Sequence, residues 1–302
     1  MITLGINAVY HDSAACLVRD GRVVAAAEEE RFTRIKHGKR PLPFTTWELP
    51  YHAIDFCLGA AGLDLADVDH VAYSFQPSLL LKEKELRLPI EPSAFTTKQA
   101  WTSPWEPLEL AYVVNAERQL IDGAPHHLGK RFARAKKARH WRWHYVEHHL
   151  AHEASAFLAA PFEESAVMTL DGRGEVATTS YGRFAGTDYE RLGQVLMPHS
   201  LGLLYERVTS YLGFLHSSDE YKVMALASYG EPVHASAFRN LVRIGDNGEY
   251  TVADADFEAL FGPRRERGGP MEKNHFDIAC SLQAVLEESA LELASWLARR
   301  TG

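Results

Sequence analysis

Ala166-Val167-Met168-Thr169-Leu170-Asp171-Gly172-Arg173-Gly174-Glu175 is the stretch that sets the reading of the whole chain. Its first five residues make an apolar strand, and an Asp with two glycines makes the polar loop behind it. Residues 175–184 read as a second strand, and 189–197 as a third after a turn at Gly186-Thr187-Asp188. The same phrase stands at the start of the chain. Residues 2–7 are an apolar run, Val9-Tyr10-His11-Asp12-Ser13 a polar loop, 14–19 a second strand, and Asp20-Gly21 a turn into 22–27. Strand, polar loop, strand, turn, strand therefore occurs twice. Two unrelated meanders would look alike at this level. The sharper expectation is a duplicated α/β domain with halves 1–163 and 164–302, one phosphate-sized loop from each facing a shared cleft.

Helices fill the spaces between the strands. Residues 51–61 carry a helical apolar stripe that stops at Gly62, and 68–75 follow as a strand. Residues 76–107, rich in Pro, Trp and Thr, form an excursion over the surface. Residues 109–121 and 128–138 read as helices, a strand ends near Val146, and His148-His149-Leu150-Ala151-His152 opens the helical run 154–160. Ser200 caps a helix running towards Leu212. Leu282, Leu286, Leu293 and Leu297 place a long helix over 277–298. Such a helix should lead into a further buried strand, yet Thr301-Gly302 follow. The second half is thus expected to be incomplete, leaving that stripe as apolar surface for association.

Composition narrows the function classes. Of 302 residues, 46% are apolar and 24% charged, which is ordinary for a globular protein. Lys plus Arg number 32 against 40 Asp plus Glu, a net charge of 32 − 40 = −8, so bulk attraction to nucleic acid is disfavoured. Cys16, Cys57 and Cys280 lie far apart, which fits a reducing cytoplasm better than a disulfide scaffold or a zinc ribbon. No apolar run approaches the roughly 20 residues of a membrane span.

The densest chemistry is His148-His149-Leu150-Ala151-His152. His148 and His152 are four apart and share a helical face, the spacing for two imidazoles on one metal. Position 149 is His where a metalloprotease needs its Glu, which disfavours protease chemistry. A third, carboxylate ligand would suit Fe(II), Mn(II) or Zn(II), and Asp171 is the candidate; a chance surface pair has the same spacing. Gly172 and Gly174 let backbone amides approach a phosphate, or simply make a hairpin turn. His11-Asp12-Ser13 offers one wall of a cleft. The charged run 28–37 is either a solvated connection or a binding site in which Arg34, Lys36 and His37 meet an anionic phosphate or carbamoyl donor. Residues 129–144 mix Lys130, Arg131, Arg134, Lys136, Lys137, Arg139 and Arg142 with Trp141 and Trp143. They mimic a nucleic-acid patch, although a solvated helix face leading into the sheet explains the same pattern. Glu220 and Lys222, two apart, either bind substrate or form a salt-bridged surface.

Taken in order, several phrases resemble the O-carbamoyltransferase family of antibiotic-tailoring and nodulation enzymes. They are Gly5-Ile6-Asn7 with His11-Asp12-Ser13-Ala14, Glu29-Glu30-Arg31-Phe32-Thr33-Arg34-Ile35-Lys36-His37, Glu147-His148-His149-Leu150-Ala151-His152, Leu170-Asp171-Gly172-Arg173-Gly174-Glu175, residues 198–205, and Glu220-Tyr221-Lys222-Val223-Met224. The resemblance implies an actin-like, duplicated ribonuclease-H-type fold. It also implies a metal, Fe(II) or another divalent transition metal, on His148, His152 and Asp171. Carbamoyl-adenylate, made from carbamoyl phosphate and ATP by a separate YrdC-like domain absent here, would give its carbamoyl group to a hydroxyl of a small natural product. Asp12 and Glu220 are then the candidate acidic groups near the acceptor, and Arg34, Lys36, His37, Gly172, Gly174 and Lys222 the candidate donor-binding residues. The chain departs from the family pattern at Glu153, Ser217-Ser218-Asp219, Ala225 and Ser228, which bears on acceptor choice. Two alternatives are tRNA modification resembling threonylcarbamoyl transfer, using the basic stretch, and a non-catalytic nucleotide-binding partner. These residues alone are expected not to complete the reaction.

Overall fold

Period-two burial writes the first sheet. β1 (Ile2–Asn7) buries Leu4 and Ile6, and β2 (Ala14–Arg19) buries Ala15 and Leu17. The computed structural model describes residues 1–9, 12–38, 49–83, 106–122 and 141–302. They form a mixed α/β protein in two compact units, Met1–His148 and His149–Gly302, a division one residue into a helix, where the sequence reading places it after that helix, at 163/164.

In the first unit, β3 (Arg22–Glu28) pairs antiparallel with β2, and β2 with β1. β4 (His70–Tyr73) and β5 (Arg142–Tyr145) continue from β1 in parallel, giving the order β3-β2-β1-β4-β5. α1 (Glu30–Thr33) is a single turn. α2 (Tyr51–Ala61) lies against β2 and β3, buries Ala53, Ile54, Cys57 and Leu58, and ends at Gly62. The strand expected over 68–75 is shorter because Asp64 and Asp67 cap each other around a 3-10 turn just before it. α3 (Pro77–Glu83) and the start of α4 (Glu106–Val114) occupy the two ends of the 76–107 excursion. The single helix expected over 109–121 is broken into α4 and α5 (Ala116–Asp122) at Asn115, whose side chain donates to the Ala111 carbonyl at 2.8 Å and competes with the backbone ladder. The helix expected over 128–138 and the middle of the excursion lie outside the described residues.

The second unit opens with α6 (His148–Leu158), the division running between its first two residues, so His148 is read with its helix. β6 (Glu164–Leu170), β7 (Ala177–Ala185) and β8 (Asp188–Leu196) form an antiparallel sheet in that order. α7 (Leu201–Tyr211) starts at Ser200, whose hydroxyl accepts from Leu203 N at 3.0 Å, the cap expected there. α8 (Glu220–Ala227) and α9 (Ala235–Leu241) precede a ribbon of β9 (Val242–Ile244) and β10 (Tyr250–Val252). α10 (Phe257–Phe261) and α11 (Lys273–Thr301) complete the unit. The leucine stripe of α11 is not left exposed, contrary to expectation. Leu282, Leu293 and Leu297 are buried, Leu286 is partly so, and α8 and α9 pack on the helix. No helix among the described residues is long and apolar enough to cross a membrane.

α6 begins at His148, where the sequence reading opens it, and β7 explains what its first turns bury. The helix buries His149, Glu153 and Phe157 at i, i+4 and i+8, and two of those three are polar. Each meets a partner on the sheet. His149 Nδ1 lies 2.7 Å from Ser180 Oγ, Tyr189 OH donates to Glu153 Oε2 at 2.6 Å, and Phe157 stacks on Phe184 at 4.8 Å. Tyr189 reaches Glu153 only because position 182 is Gly; a Cβ there would sit 2.4 Å from its ring. Burial and the Glu153 contact push the Tyr189 phenol pKa well up, so it stays a donor.

Candidate metal centre

α6 and the end of β6 bring three donors together. His148 and His152 are one turn apart, and Asp171 is the first residue after β6. One ligand atom from each lies within 4.8 Å of the others, and His152 Nε2 is 3.9 Å from Asp171 Oδ2. The donor chemistry fits: two neutral imidazoles and one carboxylate suit a divalent first-row transition ion with open positions.

Asp171 is held from several directions. Its Oδ1 accepts from Gly172 N at 2.6 Å, and its own N donates to Thr178 O at 3.0 Å. Ser200 Oγ lies 3.2 Å from Asp171 O and 2.7 Å from Gly172 O. Gly202, in the first turn of α7, permits this approach. A Cβ there would meet Gly172 N at 2.6 Å and Asp171 C at 2.7 Å, both backbone atoms that cannot swing aside. The start of α7 is therefore a clamp on the Asp171 loop.

The phosphate reading of that loop meets competition. Gly172 N is given to Asp171 Oδ1 and Gly174 N to Ala177 O at 2.7 Å, so an anion would have to displace internal acceptors. Elsewhere in the second unit, Glu220 Oε1 accepts from Ser217 N at 2.6 Å, and Lys222 pairs with Asp219 at 2.8 Å. The Asp219 contact raises the Lys222 pKa. These are the bonds of a locally braced helix start, and neither residue joins the donors around Asp171.

The first unit gathers a second group, Asp12, Glu30 and His37, whose ligand atoms also lie within 4.8 Å of one another. His37 Nδ1 is 2.9 Å from Asp12 Oδ1, Asp12 N donates to His37 O at 2.9 Å, and His37 N donates to Glu30 Oε2 at 2.8 Å. Asp12 and His37 both take left-handed backbone, φ 50° and 57°, a conformation costly for residues other than Gly. The charged run is thus more than a solvated connection. Glu28 pairs with Arg31 at 2.7 Å, Glu29 caps α2 by accepting from Ala53 N at 2.9 Å, and Glu30 holds His37. Arg34 and Lys36 are exposed beside them. His11 and the basic residues 130–139 lie outside the described residues.

Sequence reasoning passed over Ser180 and Gln194, which reach the site only through sheet register, and gave Gly202, inside the phrase 198–205, no role of its own.

Two histidines on one helical turn and an aspartate at a strand end give this α/β protein a group of side chains that could hold a metal ion. A family model described as Carbamoyltransferase N-terminus matches residues 2–301, and the chain belongs to that family. It is 37% identical over 318 residues to the uncharacterized protein sll1178 of Synechocystis sp., covering 99% of this chain and 48% of that protein. Nodulation protein NolNO of Sinorhizobium fredii is 33% identical over 297 residues, covering 93% of this chain and 37% of that one. Nodulation protein NolO of Bradyrhizobium diazoefficiens is 36% identical over 146 residues, 47% of this chain and 26% of that one. The chain spans half or less of the length of these relatives.

Proposed function

We propose that this chain carries the metal-holding part of an O-carbamoyltransferase. In this reading a carbamoyl group passes from carbamoyl-adenylate, made from carbamoyl phosphate and ATP, to a hydroxyl of a small natural product. The observation that carries it is the His148, His152 and Asp171 group in a chain matched along its length by the carbamoyltransferase family. The finer fold reading, an actin-like pair of ribonuclease-H-type halves, is supported by two features. The first unit has three antiparallel strands continued by two parallel ones, and β6-β7-β8 repeat the antiparallel three.

A bound divalent metal would supply positive charge for the phosphate of the adenylate. The chain's own residues do the rest. Asp12, backed by His37, takes the proton of the acceptor hydroxyl. The hydroxyl oxygen forms a bond to the carbamoyl carbon, the bond from that carbon to the phosphate oxygen breaks, and AMP leaves with the electron pair. Arg34 and Lys36 offer cationic groups to the donor. Glu220 and Lys222 serve this reading by bracing the start of α8.

The test supplies carbamoyl phosphate, ATP, Fe(II) and a panel of hydroxylated sugars and macrolides to the full-length protein, with carbamoylated product read by mass spectrometry. Product that disappears in the His148→Ala/His152→Ala variant supports the reading. Transfer to tRNA with none to small acceptors overturns it.

A further inference from the structure

α6 carries a third imidazole, which the donor group leaves aside. His149 is fully buried, at 0% exposure, on the helix face turned to the sheet. Adjacent helix positions diverge by about 100°, so His149 cannot close on one ion together with His148 and His152. It approaches the site from behind. Its Nε2 lies 3.9 Å from Asp171 Oδ2, as far as His152 Nε2 lies from that same oxygen. Its Nδ1 lies 2.7 Å from Ser180 Oγ on β7, and Gln194 Nε2 on β8 donates to that oxygen at 3.0 Å.

We propose that His149 is a positioning residue that aims the Asp171 carboxylate at the metal, an inference that rests on reading His148, His152 and Asp171 as a metal centre. A serine hydroxyl has one hydrogen and two lone pairs. With a Gln194 hydrogen on one lone pair, Ser180 turns its own hydrogen to His149 Nδ1. The imidazole then keeps its hydrogen on Nε2, facing Asp171 Oδ2. Gly172 N already fixes Oδ1, and at 3.9 Å the Nε2 hydrogen acts on Oδ2 as an oriented dipole and not through a hydrogen bond, favouring one orientation of the carboxylate. Such outer-shell partners typically contribute roughly 10–100-fold in metal affinity. A histidine that merely joined α6 to β7 would affect stability and leave affinity alone.

The experiment titrates Co(II) into the full chain, following its visible absorption bands, alongside thermal unfolding of the metal-free forms. His149→Gln keeps an N–H donor where Nε2 stands, whereas His149→Phe keeps the bulk and removes the donor. Binding roughly 10–100-fold weaker in His149→Phe, restored in His149→Gln, is the expected result. Equal affinity in wild type and His149→Phe overturns the inference, as does a His149→Gln variant no better than His149→Phe. Should His149→Phe fail to fold, Ser180→Ala carries the test, because it leaves the imidazole in place and removes what fixes its tautomer. Wild-type affinity in that variant overturns the proposal. Absence of Co(II) binding by the wild type overturns the metal centre itself, which separates the two failures.

Discussion

The loop after β1 and the loop after β6 occupy the same place in the two meanders and are held by opposite means. In the first unit, Asp12 is fixed by its backbone conformation and by hydrogen bonds: left-handed backbone, a backbone bond to His37, and Asn7 Nδ2 donating to Asp12 O at 3.0 Å. In the second, Asp171 is fixed by packing, with the start of α7 pressed onto the loop through Ser200 and Gly202. A loop held by its own bonds can change a side chain at modest cost. A loop held by helix packing transmits any added atom to its carboxylate. The two acids are therefore expected to respond differently to substitution.

The largest effect expected is on metal binding, and it belongs to the donor group that contains the second loop's Asp171. His148→Ala with His152→Ala removes two of the three donors and should abolish retention of a transition metal, measured by elemental analysis of the purified protein. Asp12→Asn, at the corresponding place in the first loop, should leave metal content at the wild-type level. Equal loss in both variants would break the comparison.

Next in size is Gly202→Ala. The added methyl meets the backbone of Asp171 and Gly172 at 2.6–2.7 Å, an overpacking that costs about 1–3 kcal/mol in a well-packed site. Urea unfolding followed by circular dichroism should show the loss, and metal affinity should fall with it because the Asp171 loop moves. A variant as stable as wild type would show that α7 is not a clamp. Asp12→Asn should cost less, within about 1 kcal/mol, since Asn tolerates left-handed backbone and still bonds to His37.

These contrasts follow what the amino-acid pattern can and cannot express. The strands of both meanders, the helix that ends at Gly62 and the cap at Ser200 are legible because apolar period, turn residues and capping chemistry are local signals. A shared face for His148 and His152 is legible from spacing alone. The buried face of α6 is not, because it contains His149 and Glu153, whose burial depends on Ser180 and Tyr189 across the sheet. The burial of the α11 stripe was missed for a related reason. Its cover comes from α8 and α9, whose own patterns do not say where they pack. Asp12 meeting His37 is likewise a contact between residues distant in sequence, made by the register of β2 against β3.

The smallest effect separates the units by pH. In the first unit, the chain's amino terminus lies 2.6 Å from Asp20 and lowers its carboxyl pKa, but the pair is well exposed and solvent screens it. In the second, Asp277 is covered. Its Oδ1 accepts from Glu231 N at 2.9 Å and from Lys273 Nζ at 3.0 Å, and the Lys273 ammonium chiefly holds its pKa below the ordinary 3.8. A carboxylate whose folded pKa lies below its unfolded value stabilises the fold above the unfolded value, and that contribution disappears as pH falls through the folded one. Asp277→Asn should therefore lower the unfolding temperature at pH 7, and the gap to wild type should narrow below pH 3.8 and close in stronger acid. Asp20→Asn should show no resolvable gap at either pH. A gap for Asp277→Asn that stays constant down to pH 2 would mean that the amide's poorer fit, and not the lost charge, sets its cost.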